Sequence, residues 1–183
     1  MNYAIVEKAA RKQAFSRGFK TKAIAPPDLA ERLDRLIEQD ALQFLSIVNK
    51  AGLVVTGAAK VEAAVRGGGA LALIQASDGA PDGAAKLERV VRSALGSLAG
   101  RLVRINLFSS SQLDLALGRT NVIHAALGAG EASAAFLFRA RRLAEYRSNQ
   151  AGDPPITATT DDDASSVEAK LTDGLSPGTW KDA

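Results

Sequence analysis

The chain contains no cysteine, which excludes a disulfide scaffold, a thiolate metal site and a cysteine nucleophile. It has one histidine, His124, so a histidine-based metal site would take all its other ligands from carboxylates. Aromatic residues make up only 5% of the 183 positions. No apolar run approaches the roughly 18 residues that a bilayer span requires. The opening Met1-Asn2-Tyr3-Ala4-Ile5-Val6-Glu7-Lys8 lacks a basic stretch followed by an apolar core, so it does not read as a signal peptide; the cytoplasm is the expected location. There is no Gly-Lys-Ser/Thr phosphate loop and no His-Glu-x-x-His helix. Gly67-Gly68-Gly69 follows a helical stretch and precedes a strand, the reverse of a dinucleotide-binding turn, and reads as a linker.

What is present suits one domain with tails. Hydrophobic residues account for 46% of the chain, mostly Ala, Leu and Val, which predicts small side chains and close helix–sheet packing. The net charge of +3 conceals a gradient. Residues 1–22 carry six Lys/Arg against one acid, residues 23–147 carry 15 against 12, and residues 148–183 carry two against seven. A basic arm, a mildly basic body and an acidic tail suggest a polyanionic partner. The alternative is that charged tails only keep the chain soluble.

The periodicity predicts a basic, partly helical arm over 1–25, ended by Ala25-Pro26-Pro27. Asp28-Leu29-Ala30-Glu31 reads as a capping box opening one long helix, or two joined near Asp40. Leu29, Leu33, Leu36, Ile37, Phe44, Ile47 and Val48 fall at helical spacing. From Leu53 the pattern alternates. Strands are expected at Leu53–Thr56, Ala70–Gln75, Leu102–Leu107 and Asn121–Ala126. Helices are expected at Ala58–Arg66, Asp82–Leu95, Ser109–Leu117 and Glu131–Arg147. This alternation predicts an α/β fold, a three-layer α/β/α sandwich around a four-stranded mixed sheet. The resulting division is a basic arm at 1–25, a linker helix at 26–40, a domain at 41–147 and a disordered acidic tail at 148–183.

No candidate catalytic group has a partner nearby in sequence. His124 lies in a predicted strand and reads as a hydrogen-bonded structural histidine. Asp78 follows the second strand, a common address for catalytic residues in α/β sheets, but reads as a turn or cap aspartate serving the following turn. Asp161-Asp162-Asp163 reads as a solvated acidic run. Neither a metal nor a cofactor is expected, and the protein reads as a non-enzyme.

Two segments, Val54-Val55-Thr56-Gly57-Ala58-Ala59-Lys60-Val61-Glu62-Ala63-Ala64-Val65-Arg66-Gly67 and Leu71-Ala72-Leu73-Ile74-Gln75-Ala76-Ser77-Asp78, resemble the ribosomal protein L-seven-Ae/L-thirty-e superfamily, which includes kink-turn RNA binders. Gln112-Leu113 to Gly118-Arg119 and the apolar strand after it continue the resemblance, which spans about residues 41–147. Val6 to Lys20 resembles the C-terminal end of the YlxR family of small bacterial RNA-associated proteins, without that family's upstream Gly-Arg-Gly signature. The chain thus looks like a bacterial fusion of the two modules that begins late in the first.

The resemblance implies non-catalytic binding of structured RNA, of ribosomal or ribonuclease P type, gripped between two loops. Physical chemistry points to the same places. Gly57 permits close backbone approach, Ala58 begins a helix whose amides suit phosphate, and Lys60 and Arg66 lie on that helix. Gly118, Arg119, Thr120 and Asn121 offer a guanidinium, a hydroxyl and an amide on a short loop. The arm adds Arg11, Lys12, Arg17 and Lys20. Kink-turn binders carry Gly-Ala-Asn-Glu-x-x-Lys at the first loop, whereas here Ala59, Lys60 and Ala63 replace the Asn, the Glu and the later Lys. Base-edge contacts are lost, so binding led by phosphates and shape is expected. The YlxR resemblance implies a link to the ribosome or to transcription and translation machinery; no membrane or small-molecule substrate is expected. Two competing readings are a protein-interaction scaffold that keeps the fold without RNA, and an α/β enzyme. The acidic tail is further expected to fold back on the basic arm and compete with RNA.

Overall fold

Short apolar runs bounded by glycine and serine set the strands, and amphipathic stretches between them set the helices. The computed structural model describes residues 2–148 and 156–157. In chain order the elements are α1 (Tyr3–Arg11), α2 (Ala14–Phe19), α3 (Leu29–Lys50), β1 (Val54–Thr56), α4 (Ala58–Arg66), β2 (Ala70–Gln75), α5 (Pro81–Leu95), β3 (Val103–Ile105), α6 (Ser110–Leu117), β4 (His124–Gly128), α7 (Glu131–Arg147) and β5 (Ile156–Thr157).

The strand order is β1-β4-β2-β3-β5. β2 and β3 run parallel; the other neighbours are antiparallel. This is the expected three-layer sandwich with a mixed sheet. Val54, Ala72, Ile74, Ile105, Ala125 and Leu127 face α3, α6 and α7, whose Leu45, Leu113 and Phe136 complete one core. Val55, Leu73 and Ala126 face the opposite way, onto Val61, Val65, Leu87 and Val91 of α4 and α5. Alternate residues of each strand therefore supply the two cores, as the period of two requires.

Several expectations need correction. The sheet has a fifth, two-residue strand: Ile156–Thr157 adds to the edge of β3, within the stretch read as a disordered tail. The rest of that tail, after Ser148, lies outside the described residues. α3 is one unbroken helix through residues 40 and 41, the first of the two expected alternatives. Asp28 makes no capping bond, because its carboxylate takes the Arg32 guanidinium at 2.8 Å. The buried face of α3 is carried by Ala30, Ala41, Leu45 and Val48, while Leu36 and Ile47 are exposed. The arm is partly helical, as expected, and its first helix packs on the body. Val6 and Ala10 are buried, Tyr3 stacks edge-on with Tyr146 at 5.9 Å, and the Tyr146 hydroxyl donates to the Ala30 carbonyl at 2.9 Å.

One rim of the sheet positions the candidate site. Thr56 pairs with Ala125 and Gln75 with His124, so β1 and β2 end where β4 begins. Gly57 and the α6–β4 connection meet at that rim.

Candidate nucleic-acid interface

The first component is the turn from β1 into α4. Gly57 has φ of +90°, a left-handed conformation that glycine adopts without steric cost. Its N–H donates to the His124 carbonyl at 3.2 Å, and its carbonyl accepts from Val61 N–H at 3.0 Å. No side chain caps α4, so its first-turn amides remain available to an anion. Ala58 and Ala59 are exposed and too small to cover them.

The second component is the turn from α6 into β4. Ser109 and Gln112 form the expected capping box at the start of α6, and Gly118, at φ +63°, ends it. The Asp114 carboxylate then organises the return. Oδ2 accepts from Asn121 N–H at 3.0 Å and Oδ1 from Val122 N–H at 2.7 Å. Those bonds explain why β4 starts at His124 and not at Asn121 as expected: the two amides are bound to Asp114 before they reach the sheet. Asn121 takes φ of +58°, tolerated by its short polar side chain. Arg119, Thr120 and Asn121 are exposed on a turn fixed from behind.

The two turns meet. Lys60 and Arg119, with Val54, Val55 and Thr56, line one half-open cleft of about 150 Å³. Neither Lys60 nor Arg119 forms an ion pair among the described residues, whereas Glu62 on the same helix pairs with Lys86 at 3.6 Å.

The other sequence candidates lie outside the lining of this cleft. Arg66 ends α4, six residues beyond Lys60 and about 9 Å along the helix axis. Lys12, Arg17 and Lys20 are exposed on the arm; Arg11, also exposed, pairs with Glu7 at 2.8 Å. Sequence reasoning missed Asp114 and the β1 residues. The available signal for Asp114 was a lone acid in the apolar stretch Leu113–Leu117, just before a Gly-Arg-Thr-Asn turn.

His124 departs from expectation. Its Nδ1 is buried without a hydrogen-bond partner, and a β-carbon at Gly83 would lie 3.2 Å from its Nε2, so α5 packs directly on the ring. Burial pushes its pKa below the ordinary histidine value. Asp78 serves a cap as expected, but for a distant helix: its carboxylate accepts from the Ser110 N–H at 2.7 Å and the Ser110 hydroxyl at 2.8 Å. Those bonds hold its pKa below the usual aspartate value. Among the described residues no group of three His, Asp or Glu side chains is placed to hold a metal ion, and no helix is long and apolar enough to cross a membrane.

No protein-family model matches the chain, and no curated protein matches it. Two solved structures are similar at low identity. A Bacillus halodurans protein of unknown function is 19% identical with a TM-score of 0.47, over 55% of this chain and 96% of that one. A Giardia lamblia 15.5kD RNA binding protein is 17% identical with a TM-score of 0.46, over 58% of this chain and 89% of that one.

Proposed function

We propose that the protein binds structured RNA without catalysis, through phosphates and backbone shape, at the cleft between the β1–α4 and α6–β4 turns. The observation that carries this reading is the convergence of Lys60 and Arg119, two cations free of ion pairs among the described residues, on one cleft beside the uncapped start of α4. Paired cations offer little to a phosphate; unpaired ones release counterions when it arrives. Gly57, Ala58, Lys60, Gly118, Arg119, Thr120 and Asn121 form the contact surface. Arg66 and the arm residues Arg11, Lys12, Arg17 and Lys20 extend it electrostatically. A ribosomal or ribonuclease P type RNA, and a connection to bacterial transcription or translation, follow from the family resemblances. Ala59 and Lys60 stand where kink-turn binders carry their base-reading Asn and Glu, so discrimination among sequences is weak.

The test is a titration of a bulged hairpin RNA at two salt concentrations. Affinity is expected to fall as salt rises, in proportion to the phosphates neutralised. An affinity indifferent to salt contradicts the proposal. RNA that fails to bind at low salt leaves the fold as a protein-interaction scaffold.

A further inference from the structure

The two faces of α7 differ in character. The inner face sends Phe136, Ala140, Leu143 and Ala144 into the first core. The outer face carries Phe138, 69% exposed, with the exposed Arg141 and Arg142 three and four positions on. That spacing puts all three side chains on one helix surface. Helical side chains lean toward the N-terminus, so the ring lies over the turn of Ala134 and Ala135, which are too small to cover it. The two arginines follow on the next turn. The ring has no aromatic or cationic partner among the described residues. Arg141 and Arg142 form no ion pair or hydrogen bond among those residues either, and Glu145, exposed one turn further on, pairs with neither. The other two arginines of the helix are already engaged, Arg139 by Asp40 and the Phe44 ring, Arg147 by Asp34 and Glu38.

We infer that the outer face of α7 is a second nucleic-acid contact, which stacks an unpaired base of RNA on Phe138 and takes the flanking phosphates on Arg141 and Arg142. A lone exposed apolar side chain is ordinary on a protein surface. A bare aromatic ring beside two cations that folding has left without acids is a different object. Every base has a flat π face that stacks on such a ring, and a guanidinium binds phosphate through paired N–H groups. Stacking tolerates any base, so it adds affinity without a sequence preference. The same patch suits a protein partner poorly. An ordinary protein interface covers about 800 Å² on each side around an apolar centre. Among the described residues Phe138 is the one large apolar side chain that α7 exposes. A nucleotide requires only one ring with a cation beside it. The contact lies apart from the cleft, because Lys60 is on α4, which packs with α5 on one side of the sheet, while α7 covers the other. The inference therefore goes beyond the cleft reading: it adds unpaired bases to phosphates and shape, and it rests on α7 alone.

Equilibrium binding of a short oligouridine strand, and of an abasic ribose-phosphate strand of the same length, to the full-length chain tests it. The native chain is expected to bind the base-bearing strand about tenfold more tightly. F138A should erase that preference, and F138W should keep it. R141Q/R142Q should keep the preference and make the log–log salt slope shallower by about 1.4. The ring lies outside the core, so F138A is expected to unfold at the same urea concentration as the native chain. Equal binding of the two strands by the native chain overturns the inference, and so does an undiminished preference in F138A. Self-association of the native chain that F138A abolishes, with oligonucleotide binding unaltered, assigns the face to a protein contact and overturns it as well. In the K60Q/R119Q background the base preference should persist. Failure of the cleft to hold a hairpin RNA and failure of α7 to hold an unpaired base are therefore read independently.

Discussion

Two sets of basic residues in this molecule use the same chemistry for opposite ends. Along the α3–α7 junction, Arg147 donates to Asp34 at 2.6 and 2.8 Å, to Glu38 at 2.8 Å and to the Leu107 carbonyl at 3.3 Å. Nearby Arg139 meets Asp40 at 3.2 Å and lies 3.3 Å from the centre of the Phe44 ring. At the β1 rim, Lys60 and Arg119 have no carboxylate partner among the described residues and share an open cleft. The first set fastens helices; the second forms no ion pair among the described residues. Net charge does not separate them. What matters is whether folding already supplies each cation with an acid.

That contrast is broken most severely at the clasp. Arg147→Met strands two carboxylates whose side chains are only 20% and 17% exposed, and it is expected to cost about 3 kcal/mol of stability. Urea unfolding measures the loss, and RNA affinity of the folded protein should stay unchanged. Gly57→Ala forces an alanine to φ of +90° and is expected to cost about 1–2 kcal/mol while weakening RNA binding. Thermal unfolding and a binding titration on the same sample separate the two effects.

Smaller effects are expected from the titrating groups. His124 is held below its ordinary value of 6.5 by burial, so the unfolded chain takes up the proton first as pH falls. Its contribution is complete above about pH 6.5 and declines as pH drops from there toward the folded value. Unfolding curves between pH 7 and 5 should show that slope, and His124→Gln should flatten it. The depressed Asp78 acts in a separate, more acidic window. Its contribution is present above 3.8 and lost as pH falls through the lower folded value. Asp78→Asn should lower stability slightly at neutral pH, with the loss read as faster exchange in the first turn of α6.

The sequence was most informative where structure is decided locally. Ala70–Gln75 is uniformly apolar and strand-forming, and Ser109, Gln112 and Gly118 punctuate α6 as their side chains and backbone freedom dictate. It was least informative where one side chain has more than one partner within reach. Asp28 chose Arg32 over its own helix amides, Asp114 removed Asn121 and Val122 from β4, and Tyr146 gathered an arm more than a hundred positions away. Lys60 and Arg119 were legible as candidates because each sits beside a glycine turn. That they line one cleft with the open edge of β1 follows only from the order of strands in the sheet.

The most direct measurement compares the salt dependence of RNA affinity for the native chain and the K60Q/R119Q variant. The account predicts at least a tenfold weaker affinity at low salt, a log–log salt slope shallower by about 1.5, and stability within about 0.5 kcal/mol of the native chain. Unchanged affinity and slope in a folded double variant would contradict it.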